Sequence, residues 1–270
     1  MNLSKYIDKY DTFSKRIVYV FNLGDGGIGD YTKFFLHILD LCIKYSIRLY
    51  VLKSDMILHK FLKLKYEKMY TVESSNIYPQ DISTLQSDIL YSVTPFMFYN
   101  QDLNVNLPLS SIFYFTDDIL KNIPNCINNH TINEYNIPRG LDVKDNISIH
   151  LRLGDSFLET DPNYVVCKTD TRKYNESDLF KFIENNTDKN IMFFCDNITF
   201  KLKVKSKYDF IKITTCPIGH TSLSNTTEQE VLDGITEFYL LAHSDAIYYA
   251  SNSGFSLMAS KFNDIPYKKI

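Results

Sequence analysis

The sequence predicts an α/β protein made of two Rossmann-like halves with a cleft between them. Short apolar runs rich in β-branched and aromatic residues alternate with amphipathic stretches, as strands and covering helices do in a parallel sheet. The alternation lapses between residues 121 and 145, where Pro124, Pro138 and Gly140 lie among Asn and Asp without periodicity, the composition of a linker or long loop. These two observations divide the chain into an N-terminal half, residues 1–140, and a C-terminal half, residues 141–270, each of ordinary domain size.

In the first half, RIVYVFNL is a buried strand and residues 28 to 44 form its helix, with Phe34, Phe35, Ile38 and Leu41 on one face. IRLYVL is the next strand, completing a βαβ unit. A helix is expected over 55–66 and strands over 88–93 and 111–115. In the second half, NISIHL is a strand, 176–186 a helix, and NIMFFC and DFIKIT are strands. Residues 228–243 are a helix, AIYYA a strand, and Ser253 to Phe262 a closing helix. Consecutive parallel strands place ligands at their carboxyl ends, here in the cleft between the halves.

Composition narrows the functional classes. Hydrophobic residues at 44% and charged residues at 23% describe a globular chain. A net charge of −3 leaves no footprint for nucleic acid, and the basic stretches KFLKLKYEK and KLKVKSK read as solvated helix faces or strand-flanking lysines. No apolar leader opens MNLSKYIDKYDTFSKR, and no run reaches the roughly 18 apolar residues a membrane helix needs. The expectation is a soluble cytoplasmic protein without a membrane span. Cys42, Cys126, Cys167, Cys195 and Cys216 are scattered and lack C-x-x-C spacing, which predicts free thiols with neither a disulfide framework nor a metal site.

The cluster GDGGIG follows the first strand and opens a helix. Gly24, Gly26 and Gly29 fit G-x-G-x-x-G, the dinucleotide fingerprint, so an NAD(P)-dependent oxidoreductase is one reading. Its ribose-binding acid would have to be Asp55, somewhat beyond the expected offset of about 20 residues. The same spacing arises where backbone turns sharply against a ligand or another helix.

The second half carries more chemistry. In IHLRLGD, His150, Arg152 and Gly154 alternate with Leu151 and Leu153 at a strand's carboxyl end. A guanidinium there wants an anion. FFCDN ends the next strand, and Asp196 could meet a ribose hydroxyl or a base amine, or could cap the following helix. SNSG opens the last helix after a strand, and small residues at such a turn present amides to phosphate. Capping by Ser251 or Ser253 is compatible with that.

Three ordered motifs then resemble those of the GT-B fucosyltransferase superfamily, which includes α-1,2-, α-1,6- and protein O-fucosyltransferases. They are His-x-Arg-x-Gly-Asp at 150–155, Phe-Cys-Asp-Asn at 194–197, and Glu237 with Asp245 followed by Ser-Asn-Ser-Gly-Phe-Ser at 251–256. The loop Gly26-Gly27-Ile28-Gly29 is similar to the family's N-terminal glycine loop. The resemblance implies an inverting transfer of L-fucose from GDP-fucose, or of a sugar from another nucleotide sugar, to a glycan hydroxyl. It also implies roles. Arg152 binds the diphosphate, His150 helps hold the nucleotide, Asp196 with Asn197 contacts ribose or base, and Glu237 reads guanine. Asn252, Ser253, Gly254, Phe255 and Ser256 line the diphosphate. Gly254, Leu257-Met258 and the Asp30-Tyr31 that follows the glycine loop depart from the α-1,2 branch.

No Asp-x-Asp occurs, the short motif with which many metal-dependent transferases hold a divalent ion. The expectation is transfer without metal or other cofactor, in which preorganised donors meet the charge that grows on the diphosphate. Three acids are candidates for the base: Asp155, Glu159 and, across the cleft, Asp30.

Overall fold

The computed structural model describes residues 1–98, 107–127, 146–157, 169–216, 219–221, 223 and 225–270. Glu159, Cys167 and the expected boundary at 140 lie outside the described residues. A short helix α1 (Leu3–Lys9) leads into strand β1 (Arg16–Tyr19), helix α2 (Ile28–Tyr45) and strand β2 (Arg48–Leu52). One-turn helix α3 (Leu58–Phe61) runs directly into β3 (Leu62–Leu64), followed by β4 (Tyr70–Thr71), β5 (Leu90–Val93), β6 (Phe113–Phe115) and α4 (Asp117–Cys126). The second half holds β7 (Asn146–Leu151), α5 (Glu176–Glu184), β8 (Asn190–Cys195), α6 (Ile198–Lys207), β9 (Lys212–Ile213), α7 (Glu228–Ala242), β10 (Ala246–Tyr249), α8 (Gly254–Asn263) and β11 (Tyr267–Lys269).

Two parallel sheets result, ordered β4-β2-β1-β5 and β11-β10-β7-β8-β9. Both wind outward in two directions from a central strand, β1 or β7. This confirms the α/β class and the Rossmann-like halves.

The expected helix over 55–66 is corrected. Leu62 and Leu64 alternate with Lys63, a period of two, and β3 pairs antiparallel with β6. The expected linker begins inside α4, which buries Ile119, Asn122, Ile123 and Cys126 against α7 despite Pro124. Helix α6 was expected only as the helix that follows FFCDN, without bounds, because it carries lysine at every second position from 201 to 207, and strand β11 was not expected.

The β7 strand divides its side chains as alternation dictates. Ile147, Ile149 and Leu151 join a core under α5 and α6. His150 turns to the opposite face, where Phe238 of α7 and Met258 and Phe262 of α8 share one apolar core with Phe35 and Leu39 of α2. Helices α7 and α8, second-half by sequence, therefore pack between the two sheets and join the halves. Among the described residues no helix is long and apolar enough to cross a membrane.

Candidate active site

Each sheet has a topological switch point, at the carboxyl ends of β1 beside β5 and of β7 beside β10, where open α/β sheets bind ligands. A cavity of about 670 Å³ spans the two. The first half lines it with Gly24 to Asp30, the second with His150, Arg152, Asp155, Asp196, Glu237 and Ser253 to Phe255. Most of the residues singled out in the sequence thus converge on one space, although they come from five separate segments.

Arg152 leaves the end of β7 under tight control. Ser251 Oγ accepts from its backbone N–H at 2.9 Å and donates to its carbonyl at 2.6 Å, which ties β7 to β10. The guanidinium pairs with Asp155 and, at 3.1 Å, with Asp196. Asp196 in turn accepts the amides of Leu153 at 2.8 Å and Gly154 at 3.0 Å. Its oxygens therefore shape the loop and hold Arg152, and Asp196 lines the cavity beside them. It does not cap α6. Asn197 does that, accepting the Phe200 amide at 2.8 Å, and it stands outside the cavity lining. Asp155, bound to Arg152, orients the guanidinium and is a poor candidate for the base.

At the mouth of α8 the small residues separate by role. Ser253 is the N-cap residue but makes no capping bond, and it lines the cavity with Gly254 and Phe255. The first-turn amides of a helix have no internal partners and carry its positive end, so this wall attracts an anion. Two expected site residues lie elsewhere. Asn252 is exposed and outside the cavity lining, and the Ser256 hydroxyl is bonded to the Tyr267 hydroxyl at 3.1 Å beneath the helix.

His150 is buried, stacks on Phe255 at 5.8 Å, and has a buried Nδ1 without a hydrogen-bond partner among the described residues. Burial, reinforced by Arg152 and Lys201, pushes its pKa down to about 3, so the ring is neutral near pH 7. Glu237 sits on α7 at 2% exposure. Its Oε1 accepts from Lys201 Nζ at 2.6 Å and from the Thr214 hydroxyl.

The glycine loop turns through Gly24 and Gly26 at φ of 91° and 126° and caps α2 at Gly27, whose amide Asp30 accepts at 3.2 Å. Gly29 lines the cavity and also serves packing. A Cβ there would lie 2.6 Å from the Gly254 carbonyl carbon, so its bare backbone lets the starts of α2 and α8 touch. Asp55 does not line the cavity. Burial holds the Asp30 carboxyl above the usual carboxylate range, offset in part by the Gly27 amide, Lys33 and the two arginines 152 and 172.

Sequence reasoning missed Arg172, His220 and Thr221. Gly154 at φ 117° brings the 169–172 segment against the β7 loop, the Arg172 amide donates to the Leu153 carbonyl at 2.7 Å, and Arg172 reaches the cavity paired with Asp170 at 2.8 Å. Thr221 Oγ1 accepts the Ile28 amide at 3.1 Å, a bond between the halves. None of these lies in a recognisable motif. Away from the cavity, Cys126, Cys216 and Asp233 are buried with potential ligand atoms within 4.8 Å of one another, a cluster that linear spacing does not reveal.

The sequence matches no family model, and no curated protein matches it. Solved structures do match. A mutant of Arabidopsis thaliana FUT1 in complex with GDP is similar at a TM-score of 0.52 and 11% identity, over 98% of this chain and 73% of that one. NodZ alpha-1,6-fucosyltransferase soaked with GDP-fucose gives 0.52 at 8% identity over 92% of each chain. The same enzyme co-crystallised with GDP gives 0.51 at 8% identity over 91% of each. What is shared at such identity is architecture: the chain has a GT-B fucosyltransferase-like fold.

Proposed function

We propose that this protein is an inverting, metal-independent glycosyltransferase that moves L-fucose from GDP-fucose to a hydroxyl of a glycan acceptor. One observation carries the reading: Arg152 and the uncapped start of α8 face a single cavity of donor-nucleotide size. Together they supply a guanidinium and helix amides for a diphosphate, donors that are worth several kcal/mol when preorganised for developing charge. That the solved structures of the same fold carry GDP or GDP-fucose supports the choice of donor.

In this mechanism the acceptor oxygen attacks the anomeric carbon from the face opposite the diphosphate. The bond from that carbon to the diphosphate breaks, and GDP leaves with the electron pair, its charge met by Arg152 and the α8 amides. Asp30, at the start of α2, takes the acceptor proton. Its burial moves it toward working pH, as a general base requires. Asp155 is committed to Arg152.

An oxidoreductase is disfavoured because Asp55, the ribose-binding acid that reading needs, is away from the cavity. The test is a nucleotide-sugar hydrolysis panel, since transferases slowly pass their sugar to water. GDP-fucose should be turned over fastest, at a rate unchanged by excess chelator. Turnover of a different donor alone overturns the donor assignment, and abolition by chelator overturns metal independence.

A further inference from the structure

Helices α4 and α7 pack together, and their contact is only partly apolar. Ile119, Ile123, Val231 and Ile235 join one hydrophobic core, yet Asn122, Cys126 and Asp233 are buried alongside them. Asp233 is 3% exposed, and no cationic side chain among the described residues forms an ion pair with it. A carboxylate kept from water wants a positive charge beside it. Two buried free thiols stand there instead, Cys126 at the end of α4 and Cys216 just beyond β9. Their sulfurs and a carboxylate oxygen of Asp233 all lie within 4.8 Å of one another.

The spacing suits a tetrahedral ion. Cys126 Sγ stands 3.5 Å from Asp233 Oδ1, the edge of a tetrahedron whose metal–sulfur and metal–oxygen bonds are about 2.3 and about 2.0 Å. A mixed set of thiolate and carboxylate suits zinc, whereas magnesium and calcium take oxygen ligands and copper(I) takes soft sulfur. Outer partners are also in place. Asn122 Nδ2 donates to Cys126 Sγ at 3.3 Å and to Asp233 Oδ1 at 2.8 Å, and Gln229 Nε2 donates to the same oxygen at 2.8 Å. Such bonds orient metal ligands. The backbone fixes the approach of the two cysteines, because the Thr215 amide donates to the Cys126 carbonyl at 2.9 Å and Ile127 bridges to Thr214.

We propose that Cys126, Cys216 and Asp233 bind a single Zn²⁺, with water in the fourth position, as a structural clasp between the two halves. The ion joins α4 of the first half to the β9 end and α7 of the second. Both thiols release their protons to solvent as the zinc–sulfur bonds form, with no change of oxidation state. The three ligands lie outside the cavity lining, so no step of sugar transfer runs through the ion and the inference is independent of the nucleotide reading. Cysteine spacing predicts no such site, because its ligands come from three elements that only the fold brings together.

The experiment measures metal content in the full chain, purified under reducing conditions, incubated with Zn²⁺ and desalted. The wild type should retain about one zinc per chain by mass spectrometry, and Co²⁺ in its place should give the intense near-ultraviolet absorption of thiolate-to-cobalt charge transfer. The double variant Cys126→Ser, Cys216→Ser should retain less than about a tenth of the wild-type zinc and lose the cobalt band. Asn122→Ala keeps all three ligands and should weaken zinc binding by about tenfold or more.

If the serine variant does not fold, the cobalt spectrum of the wild type decides, because it reads thiolate ligation directly. A wild type that retains no zinc and shows no cobalt–thiolate band overturns the inference. So does a serine variant that keeps the wild-type zinc content. A folded serine variant should keep its nucleotide-sugar turnover, and loss of turnover with the fold intact overturns the structural role.

Discussion

Arg152 is the residue on which the site turns. Its backbone is held by Ser251 and its guanidinium by Asp155 and Asp196, so it faces the cavity with its orientation already set. Lysine cannot reproduce this two-carboxylate fork. Arg152→Lys should therefore lower both GDP affinity and kcat/KM by at least about tenfold, while the melting temperature changes little, as binding and turnover assays would read. Asp30 makes the opposite trade. Its folded-state pKa is raised by burial, so its protonated form favours folding and that contribution is lost as pH rises through the folded value. Asp30→Asn keeps an acceptor for the Gly27 amide but carries no charge. It should lose kcat with donor binding preserved, and its advantage in melting temperature over the wild type should grow with pH. His150 has the reverse sign. Its folded pKa lies near 3 against an ordinary 6.5, so stability falls as pH drops from about 6.5 toward 3. A His150→Phe variant that retained the full acid-side loss in denaturant titrations would contradict this assignment.

Between elements, the decisive contact is the meeting of the α2 and α8 starts. Two helix N-termini approach because Gly29 and the Gly254 backbone leave no side chain between them. Gly29→Ala would force backbone apart, an overpacking cost of typically 1–3 kcal/mol, measurable as a lower denaturation midpoint and weaker GDP binding together. Strands β1, β7, β8 and β10 and helices α2 and α7 carry strong apolar patterns and were readable within a few residues. Helix α6 had no readable bounds or inward face because its inward position is Lys201. Strand β3 hid because its three residues follow a helical turn without a break. Glycine spacing alone could not distinguish a ligand loop from helix packing, since both require a missing Cβ.

Across the whole molecule, the two sheets are joined through α7 and α8, which share a core with α2, and the cavity is walled by both halves. The three ordered motifs foretold which second-half segments meet there. They could not foretell how the roles divide, because Asp196 and Asn197 belong to one motif yet serve the loop and the helix cap. Arg172, His220 and Thr221 arrive through tertiary contacts with no local pattern. A nucleotide bound in a cavity shared between halves should stabilise the fold as a unit, by roughly 2.7 kcal/mol at a hundredfold excess over Kd. The most direct test of the central claim is the melting temperature of the wild-type chain with GDP, UDP or NAD. GDP should raise it most and NAD not at all. Stabilisation by NAD without stabilisation by GDP would contradict the transferase account.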